Sequence, residues 1–187
     1  MHVVRLTFAA ALLFAATAGL RAGEAASIDE KAVRSLKTMF GDSSAVTRSR
    51  IVLTREEQDR IWTASHTRWQ HDTVTVYRCA VGSRLTGYGF LDDVKGKLQF
   101  ITMLVGIAPD GKIRDVDILV YREAFGGEVT NDSFRKQFRG ASPEDDIHPG
   151  DVIRNISGAT ISARAVTFGV RRIAATFRLL QQGALSR

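Results

Sequence analysis

Ser157-Gly158-Ala159-Thr160 is the stretch of this chain whose residue types and spacing best suit chemistry. Two hydroxyls flank two of the smallest residues, and an amphipathic pattern follows at once. Val166, Val170, Ile173, Phe177 and Leu180 step by four, three, four and three, which is one face of a helix. Arg164, Arg171 and Arg178 step by seven and form a basic stripe beside it. Ser157 is a suitable N-cap, so the helix is expected to begin near Gly158 or Ala159. Thr160 then lies in the first turn, where N–H groups have no acceptor within the helix and the dipole end is positive. A phosphate is stabilised there, and Arg164, one turn on, adds a charge-assisted contact. A Thr hydroxyl is a poor nucleophile at neutral pH, so it must be activated by the base and metal of another enzyme. Gly158 and Ala159 leave the backbone open to that approach. The plainer reading of the same residues is a capped core helix.

The surrounding features widen the pattern. Gly87-Tyr88-Gly89 precedes an apolar run, Leu98 to Ile107, then a Pro109-Asp110-Gly111 turn, a second alternating run, and the loop Glu123 to Gly127. In this order, with Ser157 to Thr160 at the end, residues 80–180 resemble the FMN-binding domain family. That family includes the FMN-carrying subunits of the sodium-translocating quinone reductase and Rnf electron-transport complexes. The resemblance implies FMN joined by a phosphoester to Thr160, attached by a dedicated flavin transferase. It implies a cofactor site of Thr160, Ser157, Gly158, Ala159, Arg164, Glu123, Phe125 and Gly126. Glu123 and Tyr121 would lie near the isoalloxazine, and Phe125 or Tyr88 would stack on it; each is equally at home in a core or a turn. The usual motif has Asp three residues before its Ser or Thr; here Arg154 stands there, with Asp151 further upstream. The membrane-complex relatives have a Glu-Thr-Pro-Gly-Leu-Gly loop where this chain has Glu-Ala-Phe-Gly-Gly-Glu.

Composition bounds the rest. The 187 residues suit one domain plus an export signal, and 44% hydrophobic residues suffice for a core. Residues 1–26 read as a secretory signal: Arg5, then apolar Leu6 to Leu20, then small residues with cleavage positions after Ala18, Ala22 or Ala25. The apolar run is shorter than the roughly 20 residues that span a bilayer; an uncleaved anchor is the minority alternative. Beyond residue 26 the chain holds 24 Lys+Arg (26 less Arg5 and Arg21) and 19 Asp+Glu (20 less Glu24), a net +5. These charges are scattered and accompany no nucleic-acid motif, so the expectation is solubility or docking on an acidic partner or anionic membrane. Cys79 is the only cysteine. It reads as a small buried hydrophobe, and a disulfide within the chain and a cysteine-based metal or haem site are excluded. His66, His71 and His148 lack ligand spacing, and Glu144, Asp145 and Asp146 read as solvated charge, so no metal site is expected.

The elements that must position the site are expected as follows. Residues 27–72 form an N-terminal helical segment: a helix from Ile28 to Phe40 ended by Gly41, a polar connection from Ser43 to Ser49, and a second helix capped by Thr54 with Glu57 closing a capping box. Ile61, Trp62, Ser65 and Trp69 follow at helical spacing, and the two tryptophans read as packing. Residues 73–182 form the FMN-binding domain. A strand begins at Thr73, a turn-rich link runs from Gly82 to Gly89, and a hairpin joins Leu98–Ile107 to Ile113–Val120. A short helix from Asn131 to Phe138 and the polar loop Ser142 to Gly150 lead back to the Thr160 segment. The expected fold is α+β: a mainly antiparallel sheet from 73 to 121, with the N-terminal helices and the long C-terminal helix packed on it.

The expected function is an exported, periplasmic electron carrier, with membrane association as an option, passing electrons between redox partners such as cytochromes or iron–sulfur proteins. No Ser-His-Asp, Cys-His or paired-carboxylate set points to substrate turnover, so no catalytic residue is assigned. The alternatives are a flavin-free binding module, for which Arg154 is the argument, and a flavin-dependent reductase of a small substrate.

Overall fold

The computed structural model describes residues 6–145, 147–150, 152–183 and 185. Five strands form one antiparallel sheet in the order of the chain: β1 (Ala45–Val52), β2 (Thr73–Val81), β3 (Arg84–Lys95), β4 (Phe100–Ile107) and β5 (Ile113–Val120). Helix α1 (Leu6–Phe40) covers one face, and α4 (Thr160–Gln181) covers the other with α2 (Arg55–Ser65) beside it. A 3₁₀ turn (Gly127–Thr130), the single-turn α3 (Asp132–Arg135) and a second 3₁₀ turn (Lys136–Phe138) follow β5. The α+β expectation holds, with helices on both faces of the sheet.

Alternation within the strands sorts their side chains between two cores. Phe90, Val94, Ile101, Met103 and Val105 meet Val166, Val170, Ile173 and Phe177 of α4 in the larger core. Tyr77, Cys79, Leu104 and Leu119 meet Ala32 and Leu36 of α1 in the smaller one. Cys79 is fully buried there, and desolvation pushes its thiol up to about 11, which suits the packing role. The Gly87 and Gly89 of the G-x-G segment belong to this second face. A Cβ at Gly87 would lie 2.3 Å from the Phe40 ring, and one at Gly89 would lie 2.6 Å from Leu36 Cδ2. These glycines therefore let α1 approach the strand, and the segment expected to be a turn-rich link is the first half of β3.

Polar pins fix α1 as well. Tyr77 donates its hydroxyl to Asp29, and Asp29 pairs with Arg48 of β1 at 3.2 Å. Burial raises the Tyr77 pKa, and the neighbouring Asp29 raises it further, so the phenol stays protonated and keeps donating. The stretch expected as a polar connection is β1 itself, paired along its length from Ala45↔Ala80 to Val52↔Thr73. It is an edge strand with most side chains exposed. Arg48 and Arg50 thus stand where an edge needs charge, and the same charges hide the strand from a reading of hydrophobic pattern. The Thr54 capping box is present as expected, but α2 ends at Ser65, with His66 in a left-handed conformation at φ 54°. Trp69 lies beyond the helix and packs on the larger core.

Helix α1 is continuous from Leu6, so no break in the backbone marks the expected junction near residue 26; residues 1–5 lie outside the described residues. Among the described residues, no helix is long and apolar enough to cross a membrane.

One buried ion pair ties α4 to β3. Arg172 Nη2 donates to Asp92 Oδ2 at 2.5 Å, with both side chains nearly sealed from solvent. The same guanidinium donates to the Arg68 carbonyl at 2.7 Å and stacks 4.8 Å from the Trp69 ring centroid. Trp69 Nε1 in turn donates to Thr176 Oγ1 at 2.9 Å. Desolvation outweighs the attraction of Arg172 and pushes Asp92 up to about 6.

Two outcomes are expected. Gly87→Val drives a branched side chain into the rigid Phe40 ring and destabilises the fold by about 1–3 kcal/mol in denaturant unfolding. Its accelerated amide exchange will be concentrated in the C-terminal half of α1. Asp92 carries the second. Its folded pKa of about 6 exceeds the ordinary 3.8, so the folded chain binds more protons at this site within that window. Its contribution to stability therefore declines as pH rises from about 3.8 to about 6, and is level outside those limits. Carboxyl NMR should place the Asp92 midpoint near the upper limit, and Asp92→Asn should remove this part of the pH dependence.

Candidate functional site

Helix α4 begins at Thr160, and the residue before it, Ala159, occupies the cap position without any side-chain hydrogen bond. Ser157 is exposed and does not serve as the expected N-cap. The reason is local: Gly158 takes φ 83°, reversing the chain so that Ala159, 2% exposed, packs into the core. Ala159 N–H closes onto the Ile156 carbonyl at 3.0 Å, and Ala163 N–H onto the Ala159 carbonyl at 2.9 Å. The first-turn N–H groups thus stay uncapped by any side chain, and the positive end of a 22-residue helix is left open to an anion. Thr160 is exposed, and its hydroxyl reaches only the Ile156 carbonyl, at 3.5 Å. That is the outer limit of a hydrogen bond, so the hydroxyl is available for reaction. Arg164 is exposed on the same helical face, one turn further on.

The glycine loop after β5 is seated directly on this segment. Tyr121 donates its hydroxyl to the Phe125 carbonyl at 2.5 Å and lies 2.9 Å from Ser162 Oγ, which therefore donates to it. Gly126 has φ 87°, and a Cβ built there would lie 2.8 Å from the Tyr121 hydroxyl, 2.9 Å from Ser162 Oγ and 3.5 Å from Ala159 Cα. Glycine is required on both counts. Phe125 is 86% exposed and Ile161 51% exposed, so two apolar side chains stand in solvent beside Thr160.

The structure thus brings together Ser157, Gly158, Ala159, Thr160, Arg164, Phe125 and Gly126. Glu123 is turned elsewhere. Its Oε1 accepts from Leu98 N at 2.7 Å and Gln99 N at 2.9 Å, closing the turn between β3 and β4. The Gln99 N–H above all, with the Leu98 and Lys97 N–H groups and the Lys95 charge, holds this carboxyl below its ordinary range. Tyr88 lies in the core beneath α4, 5.9 Å from Phe177, and is not at the surface to stack on a ring.

A cleft of about 540 Å³ opens beside the segment, within the usual range for small-molecule sites. Arg154, Asn155 and Ser157 line one side; Asn131, Lys136 and Gln137 line the other. Gln137 Oε1 accepts from Arg154 N at 2.8 Å and joins the two walls. These last three residues carry no motif, and only the chain reversal after α3 brings them here; their amide and cationic character was the one signal available. A separate cleft of about 430 Å³, between α1 and the start of β4, shares no lining residue with this one. Of the polar loop, Asp145 accepts from Ser142 N at 2.7 Å and Glu144 lies 3.8 Å from Arg178. Asp146 and Asp151 lie outside the described residues. His148 Nδ1 is 3.2 Å from Arg171.

The profile of the FMN-binding domain family matches residues 96–175. Over this stretch the chain is similar to an FMN-binding domain. The match is narrower than the 80–180 of the sequence resemblance and holds the glycine loop, the cleft walls and Thr160. The chain is also 32% identical over 102 residues to one of the subunits of the proton-translocating ferredoxin:NAD(+) oxidoreductase complex of Clostridium ljungdahlii. That alignment takes in 51% of this chain and 55% of the relative, so the chain spans about half the relative's length. The crystal structure of Shewanella oneidensis NqrC superposes with a TM-score of 0.56 over 81% of this chain and 88% of that one, at 16% identity; the two share a fold.

The residues present fit FMN. An open helix N-terminus with Arg164 suits the phosphate, Phe125 and Ile161 suit an aromatic ring, and the amide-rich cleft suits polar edges. Gly126→Ala should displace the loop from Ser162 and Ala159 and cost about 1–3 kcal/mol, the usual penalty for a non-glycine residue in the left-handed region. Thermal unfolding measures the loss, and limited proteolysis should show new cleavage within residues 121–127.

Proposed function

We propose that FMN is joined through its phosphate to Thr160 Oγ1 and that the chain serves as an exported electron carrier. The observation that carries this reading is the state of Thr160. It is an exposed, nearly unbonded hydroxyl at the uncapped start of α4, beside a polar cleft, within the stretch similar to an FMN-binding domain. The new bond is Oγ1–P; the bond broken is the phosphoanhydride of a flavin nucleotide donor held by the transferase, whose nucleoside monophosphate half leaves, and the hydroxyl proton passes to the transferase's base. Among the described residues no side-chain base is bonded to Thr160 to accept it, so a flavin transferase supplies the base and the activated flavin. When bound, FMN supplies one- and two-electron chemistry. The chain supplies placement. The Tyr121–Ser162 pair fixes the glycine loop; the α4 N-terminus and Arg164 would hold the phosphate, and the exposed Phe125 and Ile161 would offer apolar contact to the ring.

The relative's place in a proton-translocating ferredoxin:NAD(+) oxidoreductase complex supports redox proteins of a membrane-associated assembly as partners, with iron–sulfur or haem centres as the classes of acceptor. Covalent attachment suits the far side of a membrane, where a dissociated cofactor is lost. The apolar segment Leu6 to Leu20 supports export to that side.

Intact mass tests the reading on chain exported from a host with an active periplasmic flavin transferase. The expected result is an increment matching phosphoester-linked FMN, with none on Thr160→Ala. Unmodified wild-type chain, from a host whose transferase flavinylates another substrate, would sink it. Arg154 would then be the reason, and a flavin-free binding module the better reading.

A further inference from the structure

Seven large apolar side chains are exposed among the described residues, and five of them, Val52, Leu98, Phe100, Phe125 and Ile161, gather at one end of the domain. The strand pairings place them. Val52 ends β1 opposite Thr73, and Thr75 faces Leu91. Lys95 faces Phe100 across the β3–β4 turn, and Thr102 faces Val120 at the end of β5. Phe125 follows β5, and Ile161 lies in the first turn of α4. The turn itself is the most exposed apolar point of the sheet: Leu98 is 70% and Phe100 39% exposed.

This turn is built to hold that shape. Glu123 clamps its backbone through the Leu98 and Gln99 N–H groups. Lys95 Nζ donates to the Leu98 carbonyl at 2.7 Å and sits 4.9 Å from the Phe100 ring centroid. Lys97 stands between them in sequence. An apolar pair flanked by lysines on a rigid tip combines the two attractions of an anionic bilayer surface, burial among headgroups and charge.

Helix α1 leaves the fold at the same end. Its Glu24 pairs with Arg122, and Ala25 and Ile28 share a cleft with Gln99 and Phe100. From Glu24 the helix runs on to Leu6, about 27 Å along its axis at the usual rise. The sequence of that portion is the apolar run Leu6 to Leu20. A retained anchor and a signal awaiting cleavage both put this run at a bilayer, and both bring the β3–β4 turn against it.

We propose that the β3–β4 turn docks this end of the domain on an anionic lipid surface, Leu98 and Phe100 entering the headgroup layer while Lys95 and Lys97 meet lipid phosphates. The proposal rests on the export reading and is independent of flavinylation. It gives the carrier a fixed orientation, with Thr160 and Phe125 facing the membrane and whatever redox partner is embedded there.

The test uses an environment-sensitive fluorophore on the full chain, attached through Leu98→Cys or, as control, through Ser83→Cys at the opposite β2–β3 turn. Cys79 is fully buried and leaves the introduced thiol as the reactive one. On phosphatidylglycerol-containing vesicles the Leu98 probe should brighten and shift to the blue while the Ser83 probe stays water-like. Replacing Lys95 and Lys97 by Gln should lower the ratio of lipid-contacting to solvent-exposed probe by about fivefold for each lysine. Three outcomes would overturn the proposal. They are a Leu98 probe as water-exposed as Ser83 on vesicle-bound chain, an equal shift on purely phosphatidylcholine vesicles, and a shift that appears only when a membrane protein partner is added. Thr160→Ala chain should give the same result as wild type, so a failure here leaves the flavin reading standing.

Discussion

The packing of α4 on β3 and β4 is the constraint on which the rest of the molecule depends. Val166, Val170, Ile173, Phe177 and Leu180 are each buried to 2% exposure or less. At about 1.5–3 kcal/mol for each such side chain, this face outweighs any capping interaction, which is worth about 1 kcal/mol. The helix start is therefore set by where its apolar face can dock. Ala159 follows that face into the core, Gly158 turns the chain to allow it, and Ser157 is left outside without a capping role. Thr160 owes its exposure to this ordering of energies.

The ion pair of Asp92 and Arg172 works within the same interface but differently. Two charges almost sealed from water contribute little net stability, since their desolvation offsets their attraction. What they confer is position. Arg172 also holds the Arg68 carbonyl and the Trp69 ring, so the segment after α2 is registered against α4 through one guanidinium. A helix that could slide along an apolar sheet face by one turn would carry Thr160 with it. The polar contacts to β3 and to the 68–69 segment oppose that slip.

The opposite face is organised by small residues and by pins. Gly87, Gly89 and Gly106 give α1 a trough for Phe40, Leu36 and Met39, and the Tyr77–Asp29–Arg48 cluster fixes the helix further along. The two faces meet functionally at one end of the sheet. There β5 gives way to a loop whose Tyr121 and Gly126 address α4, while Arg122 addresses α1 and Glu123 addresses the β3–β4 turn. Both helices and the turn are thus tied together through one short loop, and the candidate flavin site inherits its rigidity from all of them.

Much of this was legible in the sequence. The periodicity of α4, the capping box at Thr54 and the hairpin of β4 and β5 each rest on local chemistry, and each stands in the structure. A helical face or a turn is written in neighbouring residues, which is why these could be read. Tertiary structure decided the remainder. β1 is an edge strand whose charges mask its pattern, and only pairing with β2 makes it a strand. Glu123 and Phe125 are two residues apart in one loop, yet one clamps a distant turn and the other stands beside Thr160. Asn131, Lys136 and Gln137 face Arg154 and Ser157 only because the chain doubles back after α3. Contacts between residues far apart in sequence follow from how whole faces pack, and no local pattern records them.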